Sequence, residues 1–130
     1  MALSPEYVGS TDSASCLDAL EHVGLGCYGD TIDPDGHLQG FAALTSLVKP
    51  DGMLYLSVPI GPQRIELNVH RVFSFNYLLD LARPHFDLVA FSYVDDAGDL
   101  HDTITVDAAA AANRFGCHYG CGSFELRRRA

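Results

Sequence analysis

The sequence predicts a single α/β domain with a largely parallel sheet. Apolar segments of strand character alternate with segments of helical periodicity, and clusters of glycine, proline and aspartate separate them. The segment 53–58 is apolar on both alternating faces, as expected for a central parallel strand. A chain of 130 residues has room for one hydrophobic core. We expect residues 1–12 to form a short leader and residues 13–130 to form the domain.

The first half of the chain predicts a strand, a helical turn, two loops and a helix. These elements cover, in order, residues 13–17, 18–23, 24–29, 30–36 and 37–48. The strand is small and apolar, the first loop is rich in glycine and the second is acidic. Asp33 before Pro34 is typical of a helix N-cap followed by proline at the first helical position. The helix carries apolar residues at helical spacing, so we expect one of its faces to be buried.

The second half continues the alternation. The predicted elements are a turn at 49–52, a central strand at 53–58, an irregular polar loop at 63–72, a helix at 74–81, a strand at 86–94, a turn at 95–99, short segments of strand at 103–106 and helix at 107–113, and a last strand at 123–126. Ser74 is a good N-cap, and Pro84 ends the helix that follows it. The resulting order is β-α-β-α-β-(α)-β.

Charge and hydropathy exclude several classes of protein. Eight basic residues against 17 acidic ones give a net charge of −9, which repels nucleic acid and anionic lipid. No apolar run approaches the roughly 18 residues of a membrane helix, and the start lacks the features of a secretory signal. We interpret Arg127–Arg129 as a solvated tail after the last strand, with a phosphate clamp as the alternative.

The four cysteines are few and unevenly spaced. Without a secretory signal they favour free thiols in a reducing compartment, and we expect a cytoplasmic protein. Cys117 and Cys121 enclose a histidine, but a zinc site would also need Cys27 or His22. Zinc therefore stays the alternative to small buried thiols, and we assign no metal ligand.

Two further motifs have simpler readings. Gly24, Gly26 and Gly29 match the dinucleotide fingerprint as a string, but acidic residues follow where a helix should begin on the glycines. A loop over an active site is the favoured interpretation. Asp33 and its acidic neighbours resemble a calcium loop only loosely, and their spacing favours a turn with helix capping.

Two histidines are expected at the functional edge of the sheet. His22 follows the first strand, and His70 lies in the loop after the central strand with Asn68 and Arg71 nearby. Open α/β sheets bind ligands beyond the carboxyl ends of their strands. At least one of the two histidines is therefore a candidate for contact with a substrate or cofactor, against the alternative of structural histidines.

The order of these motifs resembles a known family. The segment 13–22 resembles the fourth strand of class I S-adenosylmethionine-dependent methyltransferases, and 47–59 is similar to their passage into the fifth strand, with Asp51 in place of a glycine. The match is sharpest to the methyltransferase-related domain-of-unknown-function family 268. The segments that resemble the sequence motifs of this family are 21–30, 32–36, 57–61, 68–73, 92–96 and 119–126.

This resemblance implies a partial Rossmann-like, class I methyltransferase-like sheet. The sheet would be mostly parallel with an antiparallel C-terminal strand, and it would lack the N-terminal strands that carry the glycine-rich cofactor motif. S-adenosylmethionine is then the expected cofactor, with Asp12, Ser13 and Cys16 beside it. The first strand would be an exposed edge, so we expect a homodimer or a partner chain to pair there.

The resemblance also implies roles for side chains. His70, and after it His22, would take a proton from the acceptor, because an imidazole titrates near neutral pH. Tyr28, Asn68 and Arg71 would contact an acceptor that is a small molecule or a glycan. Two further hypotheses compete with methyl transfer: a non-catalytic fragment or interaction module that keeps the fold but not the cofactor, and a small metal-binding protein.

Overall fold

The computed structural model describes residues 5–23, 25, 35–66 and 70–130. Its strands are β1 (Thr11–Leu17), β2 (Val48–Ile60), β3 (Arg64–Glu66), β4 (His70–Val72), β5 (Phe86–Val94), β6 (Leu100–His101) and β7 (Gly120–Arg128). Its helices are α1 (Gly36–Leu47), α2 (Phe75–Ala82) and α3 (Ala108–Ala112), and 3-10 turns cover Pro5–Tyr7, Leu20–His22 and Arg114–Gly116.

Five strands form one sheet in the order β1-β2-β7-β5-β6. β1 pairs parallel with β2, whereas β7 is antiparallel to both β2 and β5. β1, β2 and β5 therefore share one direction, and the C-terminal strand β7 runs against them. This arrangement confirms the predicted α/β class, with its mostly parallel sheet and antiparallel C-terminal strand.

One face of the sheet carries the hydrophobic core. Leu56 of β2 is paired with Phe124 of β7, which is paired in turn with Phe91 of β5. Phe75 of α2 packs on this row with its ring centroid 4.7 Å from that of Phe91, and Phe41 of α1 packs near the start of β5. Both long helices therefore cover the same face.

The opposite face is largely polar. Ser57, Ser123 and Ser92 lie side by side across β2, β7 and β5, and Tyr55 is paired with Glu125 in the adjacent row. The prediction that β2 is apolar on both faces is confirmed in part: Met53, Tyr55 and Pro59 lie on this face with Ser57, and the paired residues Ser123 and Glu125 of β7 make the face polar. A polar outer face is what water can solvate without a covering layer of helices.

Several local predictions are confirmed. The β1 strand, the turn after it, α2 with its Ser74 cap and β5 all form where the sequence places them. The Ser74 hydroxyl oxygen accepts a hydrogen bond from the Tyr77 backbone N–H at 3.2 Å, which satisfies one free donor of the first helical turn. The predicted cap Asp33 and the glycine loop lie outside the described residues; the residue that precedes α1 is Asp35.

Three predictions of local structure are wrong. No turn separates α1 from β2, because the strand begins at Val48 directly after the helix and Asp51 takes a φ of 65° within it. The segment 103–106 is not a strand; the short strand there is β6, which pairs with the end of β5. The loop 63–72 is not wholly irregular, since β3 and β4 pair antiparallel within it.

The basic C-terminal run is not a solvated tail. Arg127 and Arg128 belong to β7. The Arg128 guanidinium donates to the carbonyl oxygens of Thr45 and Val48, the latter at 2.8 Å, and so joins the end of β7 to the junction of α1 and β2. Arg129 forms an ion pair with Asp87 at 2.9 Å.

The segment before residue 13 is also tied to the fold. The backbone N–H groups of Gly9 and Ser10 donate to the carbonyls of Ser46 and Leu47 at 2.7 and 3.1 Å. These bonds satisfy carbonyl groups at the C-terminus of α1. None of the described helices is long and apolar enough to cross a membrane.

Candidate functional site

The carboxyl ends of β1 and β2 and the start of β7 meet at one edge of the sheet. β1 and β2 are parallel, so they end on the same side, and antiparallel β7 begins there with Gly120 paired to Ile60. Phe73 bridges Ile60 and brings β4 to the same place. The 3-10 turn Leu20–His22 follows β1 directly. Side chains from four chain segments therefore converge at this edge, which we call the carboxyl edge.

His70 lies at the centre of this convergence. It is 7% exposed, and its Nε2 makes no hydrogen bond with the described residues. The Glu66 carboxylate is 3.4 Å from that nitrogen, within the distance of an ion pair. The imidazole of His22 meets the ring edge-on with centroids 6.2 Å apart, and the Tyr119 ring does so at 5.0 Å. The structure thus brings the two predicted histidines together.

Arg71 has a different environment from the one predicted for an acceptor-binding residue. It is 1% exposed, and its guanidinium donates to the backbone carbonyl of Val23. This bond joins β4 to the turn that carries His22. Arg64 is also engaged, with the Glu66 carboxylate at 3.2 Å and the His118 carbonyl at 3.1 Å.

Glu21 is a site residue that the sequence analysis missed. It is 2% exposed, and its Oε1 accepts no hydrogen bond from the described residues. Burial raises the pKa of this carboxyl, an effect that the nearby imidazole of His22 opposes and the Asp18 carboxylate strengthens. The position of Glu21 next to the candidate His22 was the one feature of the sequence that could have indicated a site residue. The burial of Glu21 depends on tertiary packing, which the sequence pattern does not show.

Asp18 and Cys121 adjoin Glu21. The Asp18 carboxylate accepts hydrogen bonds from the Ser57 hydroxyl at 3.3 Å and from the Cys121 thiol at 3.9 Å. Burial is the main cause that raises the pKa of Cys121, and the charges of Asp18 and Glu21 add to it. Burial likewise raises the pKa of Tyr119, with Glu66 and Glu21 as further causes. The carboxylates of Asp18, Glu21 and Glu66 therefore raise the pKa values of the neighbouring thiol and phenol.

The loop that carries Tyr119 is fixed by Asp96. Its two carboxylate oxygens accept the backbone N–H groups of His118 and Tyr119 at 2.7 and 2.8 Å. These hydrogen bonds are the main causes that lower the pKa of Asp96, because they stabilise its ionised form. The aromatic ring against His70 is thus positioned by an exposed carboxylate from the turn after β5.

The predicted cofactor residues are not all at this edge. Asp12 and Ser13 lie at the opposite end of β1, and the Asp12 carboxylate is 3.6 Å from the Lys49 ammonium. Cys16 lies near the carboxyl end on the core face, where burial raises its pKa. Tyr28 and Asn68 lie outside the described residues.

An apolar groove runs between β1 and α1. Its hollow of about 210 Å³ is lined by Cys16, Ala19, Leu20, Val23, Gly40, Ala43, Leu44 and Leu47. The α1 residues among these are spaced as one stripe of a helix. The groove lies beside β1, which ends the sheet on this side.

The described residues hold no metal cluster. In the ranges 5–23, 35–66 and 70–130, no group of three or more His, Cys, Asp or Glu side chains is arranged to bind an ion. Cys16, Cys117 and Cys121 are free thiols, and Cys27 lies outside the described residues. Burial raises the pKa of Cys117 to about 11, which makes it a poor metal ligand or nucleophile at neutral pH.

Solved structures share this fold. Burkholderia thailandensis 1,6-didemethyltoxoflavin-N1-methyltransferase, solved with bound 1,6-didemethyltoxoflavin and S-adenosylhomocysteine, has a TM-score of 0.62 and 22% identity over 95% of this chain and 46% of its own. The [4+2]-cyclase SpnF has a TM-score of 0.58 and 13% identity, and the match covers 98% of this chain and 54% of SpnF. MccD has a TM-score of 0.55 and 11% identity, and the match covers 98% of this chain and 64% of MccD. This chain thus spans about half the length of these proteins.

The fold is that of the class I methyltransferases. The sequence profile of DUF268, described as Caenorhabditis protein of unknown function, matches residues 3–113. The chain therefore belongs to this family. The curated protein sequences contain no significant match.

Proposed function

We propose that this chain forms the acceptor side of an S-adenosylmethionine-dependent methyltransferase that acts on a small molecule or a glycan. The fold likeness to a methyltransferase with bound S-adenosylhomocysteine supports the reaction class. The likeness to a cyclase shows that this fold hosts more than one reaction, so the side chains at the site, and not the fold, determine the chemistry.

The residues present at the carboxyl edge fit a cationic donor. Asp18, Glu21 and Glu66 bring three carboxylates to it; Glu66 is paired with Arg64 at 3.2 Å, which leaves Asp18 and Glu21 as the two carboxylates without an arginine partner among the described contacts. Such an edge suits a sulfonium cation and repels the phosphates of a dinucleotide. Asp18 and Glu21, at the end of β1, are the residues that would hold the sulfonium. When bound, S-adenosylmethionine supplies an electrophilic methyl group.

His70 is the residue we assign to the acceptor proton. The observation that carries the assignment is its buried Nε2, which makes no hydrogen bond with the described residues although the Glu66 carboxylate lies 3.4 Å away. A hydroxyl or amine of the acceptor would give its proton to this nitrogen. The Glu66 carboxylate at 3.4 Å would stabilise the resulting imidazolium. Tyr119 and His22, edge-on to the ring, hold its orientation.

The test is transfer of a labelled methyl group to a panel of small-molecule hydroxyls, amines and oligosaccharides. With any acceptor that is methylated, His70→Asn should lower kcat about 100-fold, the scale of a general base. His85→Asn is the matched control, because this histidine lies in the turn before β5. An unchanged kcat in His70→Asn would contradict the assignment.

A second candidate function is an interaction module that binds a partner polypeptide through β1. The observation that favours it is the edge of β1, which pairs with no second strand among the described residues and where Leu17 is 62% exposed on the sheet face opposite the apolar groove. A partner strand paired with this edge would bury the edge, and a partner helix in the groove would bury its apolar lining.

Leu17→Lys tests this candidate, with Leu100→Lys on edge strand β6 as the matched control, since Leu100 is 66% exposed. Sedimentation velocity and pull-down should show association that Leu17→Lys removes and Leu100→Lys leaves intact. A chain that stays monomeric and captures nothing, or association equally sensitive to both changes, counts against the module.

A further inference from the structure

Glu21 is buried without a counter-ion among the groups described around it. It is 2% exposed, and its Oε1 accepts no hydrogen bond from the described residues. An ionised carboxylate in such a position is costly, because its Oε1 loses hydration without gaining a hydrogen-bond donor among the described residues. A ligand that brings positive charge to this oxygen would remove that cost.

The surroundings of Glu21 are anionic or neutral on nearly every side. Cys16 lies near it in β1 and Asp18 just after that strand, while Tyr119 lies near it just before β7 and Cys121 within β7. Its own backbone N–H and the imidazole of His22 on the same turn are the nearby groups that stabilise its charge. The imidazole is itself packed edge-on against His70.

A cation at this edge would offset the charge of the buried carboxylate, and the cationic group of the proposed methyl donor is an onium centre. An onium centre attracts carboxylates and the faces of aromatic rings without needing hydrogen-bond acceptors for N–H groups. Tyr119 offers such a ring, half exposed at the same edge.

We propose that Glu21 is the counter-ion for an onium centre bound at the carboxyl edge, and that this centre is the sulfonium of the methyl donor. The inference rests on the proposed function and deepens it. It separates two roles: His70 takes the acceptor proton, whereas Glu21 recognises charge on the donor. The site then favours S-adenosylmethionine over its neutral product S-adenosylhomocysteine, which helps product leave.

Titration calorimetry compares S-adenosylmethionine with S-adenosylhomocysteine. The natural chain should bind the sulfonium more tightly, and Glu21→Gln should remove about tenfold of that preference, while affinity for the neutral thioether stays the same. Glu6→Gln, in the exposed first turn, is the matched control and should change neither affinity. A preference that persists in Glu21→Gln overturns the inference.

A second probe separates the inference from the proposed function. Trimethylsulfonium and the neutral tert-butyl alcohol are titrated into the natural chain with carbon-13 glutamate, whose four side-chain carboxyls include Glu21. We expect trimethylsulfonium alone to shift the Glu21 signal. If it does so while neither nucleoside binds, the proposed function fails and the onium site stands. If the Glu21 signal does not respond, the onium site is wrong, whether or not the nucleosides bind.

Discussion

At the residue scale, the candidate site depends on side chains whose burial differs from their usual behaviour. Glutamate and arginine are almost never fully buried unless paired, yet Glu21 and Arg71 are 2% and 1% exposed. Arg71 donates to the Val23 carbonyl, so its burial supports the turn after β1. Glu21 carries an orphaned oxygen, so its burial costs stability and is better explained by binding.

The raised pKa of Glu21 predicts a dependence of stability on pH. Its folded value lies above the unfolded value near 4.5, so the folded state holds the proton more tightly. The protonated carboxyl is tolerated at low pH, and stability is lost as pH rises from about 4.5 through the folded pKa. Glu21→Gln should therefore gain stability relative to the natural chain as pH increases.

Urea unfolding of the natural chain and of Glu21→Gln at pH 4, 6 and 8 measures the difference between their free energies of unfolding. Cys16, Asp18, His22, Tyr119 and Cys121 face Glu21 in both chains, so their own titration largely cancels in the comparison. The Glu6→Gln chain should follow the natural chain at every pH. A Glu21→Gln chain that loses stability relative to the natural one as pH rises would mean that the carboxylate has an internal counter-ion.

Single residues also differ in how well the sequence predicts their place in the candidate site. His22 and His70 were placed at one edge because they follow strands that end there, and the structure sets their rings 6.2 Å apart. Glu21 was missed because a glutamate in a short turn is usually solvated. Asp12 and Ser13 were placed beside the cofactor by resemblance alone, and they lie at the other end of β1.

At the element scale, the carboxyl edge is held by close backbone approaches. Gly61, just after β2, leaves no room for a side chain: a Cβ there would lie 2.1 Å from the His118 carbonyl oxygen. The Gly61 N–H also donates to Phe73 at 3.0 Å. This glycine therefore lets β2, β4 and the Tyr119 loop meet.

Gly61→Ala should destabilise the fold by roughly 3 kcal/mol, since backbone must move to admit the methyl group. Gly98→Ala is the control: a Cβ there meets nothing within 4 Å, and the cost, about 1 kcal/mol, comes from its φ of 88° alone. Urea unfolding compares the two. Equal losses would mean that the approach of residue 118 to β2 is not tight in solution.

The elements predicted well are those whose pattern is local. Helical periodicity and the Ser74 cap sufficed for α2, and a long apolar segment sufficed for β5. The strands β3, β4 and β6 were missed because each has only two or three residues, and their pairing depends on where partners lie in three dimensions. Arg128 was misread for the same reason, since its carbonyl partners are about 80 residues away in sequence.

At the scale of the whole molecule, the sheet has one apolar face and one largely polar face. α1 and α2 cover the apolar face, while serines from three strands line the other. β1 forms one edge of this sheet, and the apolar groove lies beside it. The architecture is therefore a two-layer α/β domain whose functional groups gather at the carboxyl edge, next to the strand that is open to a partner.

The measurement that tests the account most directly is a thermal melt of the 130-residue chain with and without saturating S-adenosylmethionine or S-adenosylhomocysteine. Ligand at 100 times its dissociation constant stabilises a fold by about 2.7 kcal/mol, which for a domain of this size raises Tm by about 10 °C. We predict a cooperative transition that shifts upward with both ligands, and a larger shift with S-adenosylmethionine when the two ligands are compared at equal concentration. A cooperative transition that neither ligand moves would contradict the proposal that this fold binds the methyl donor.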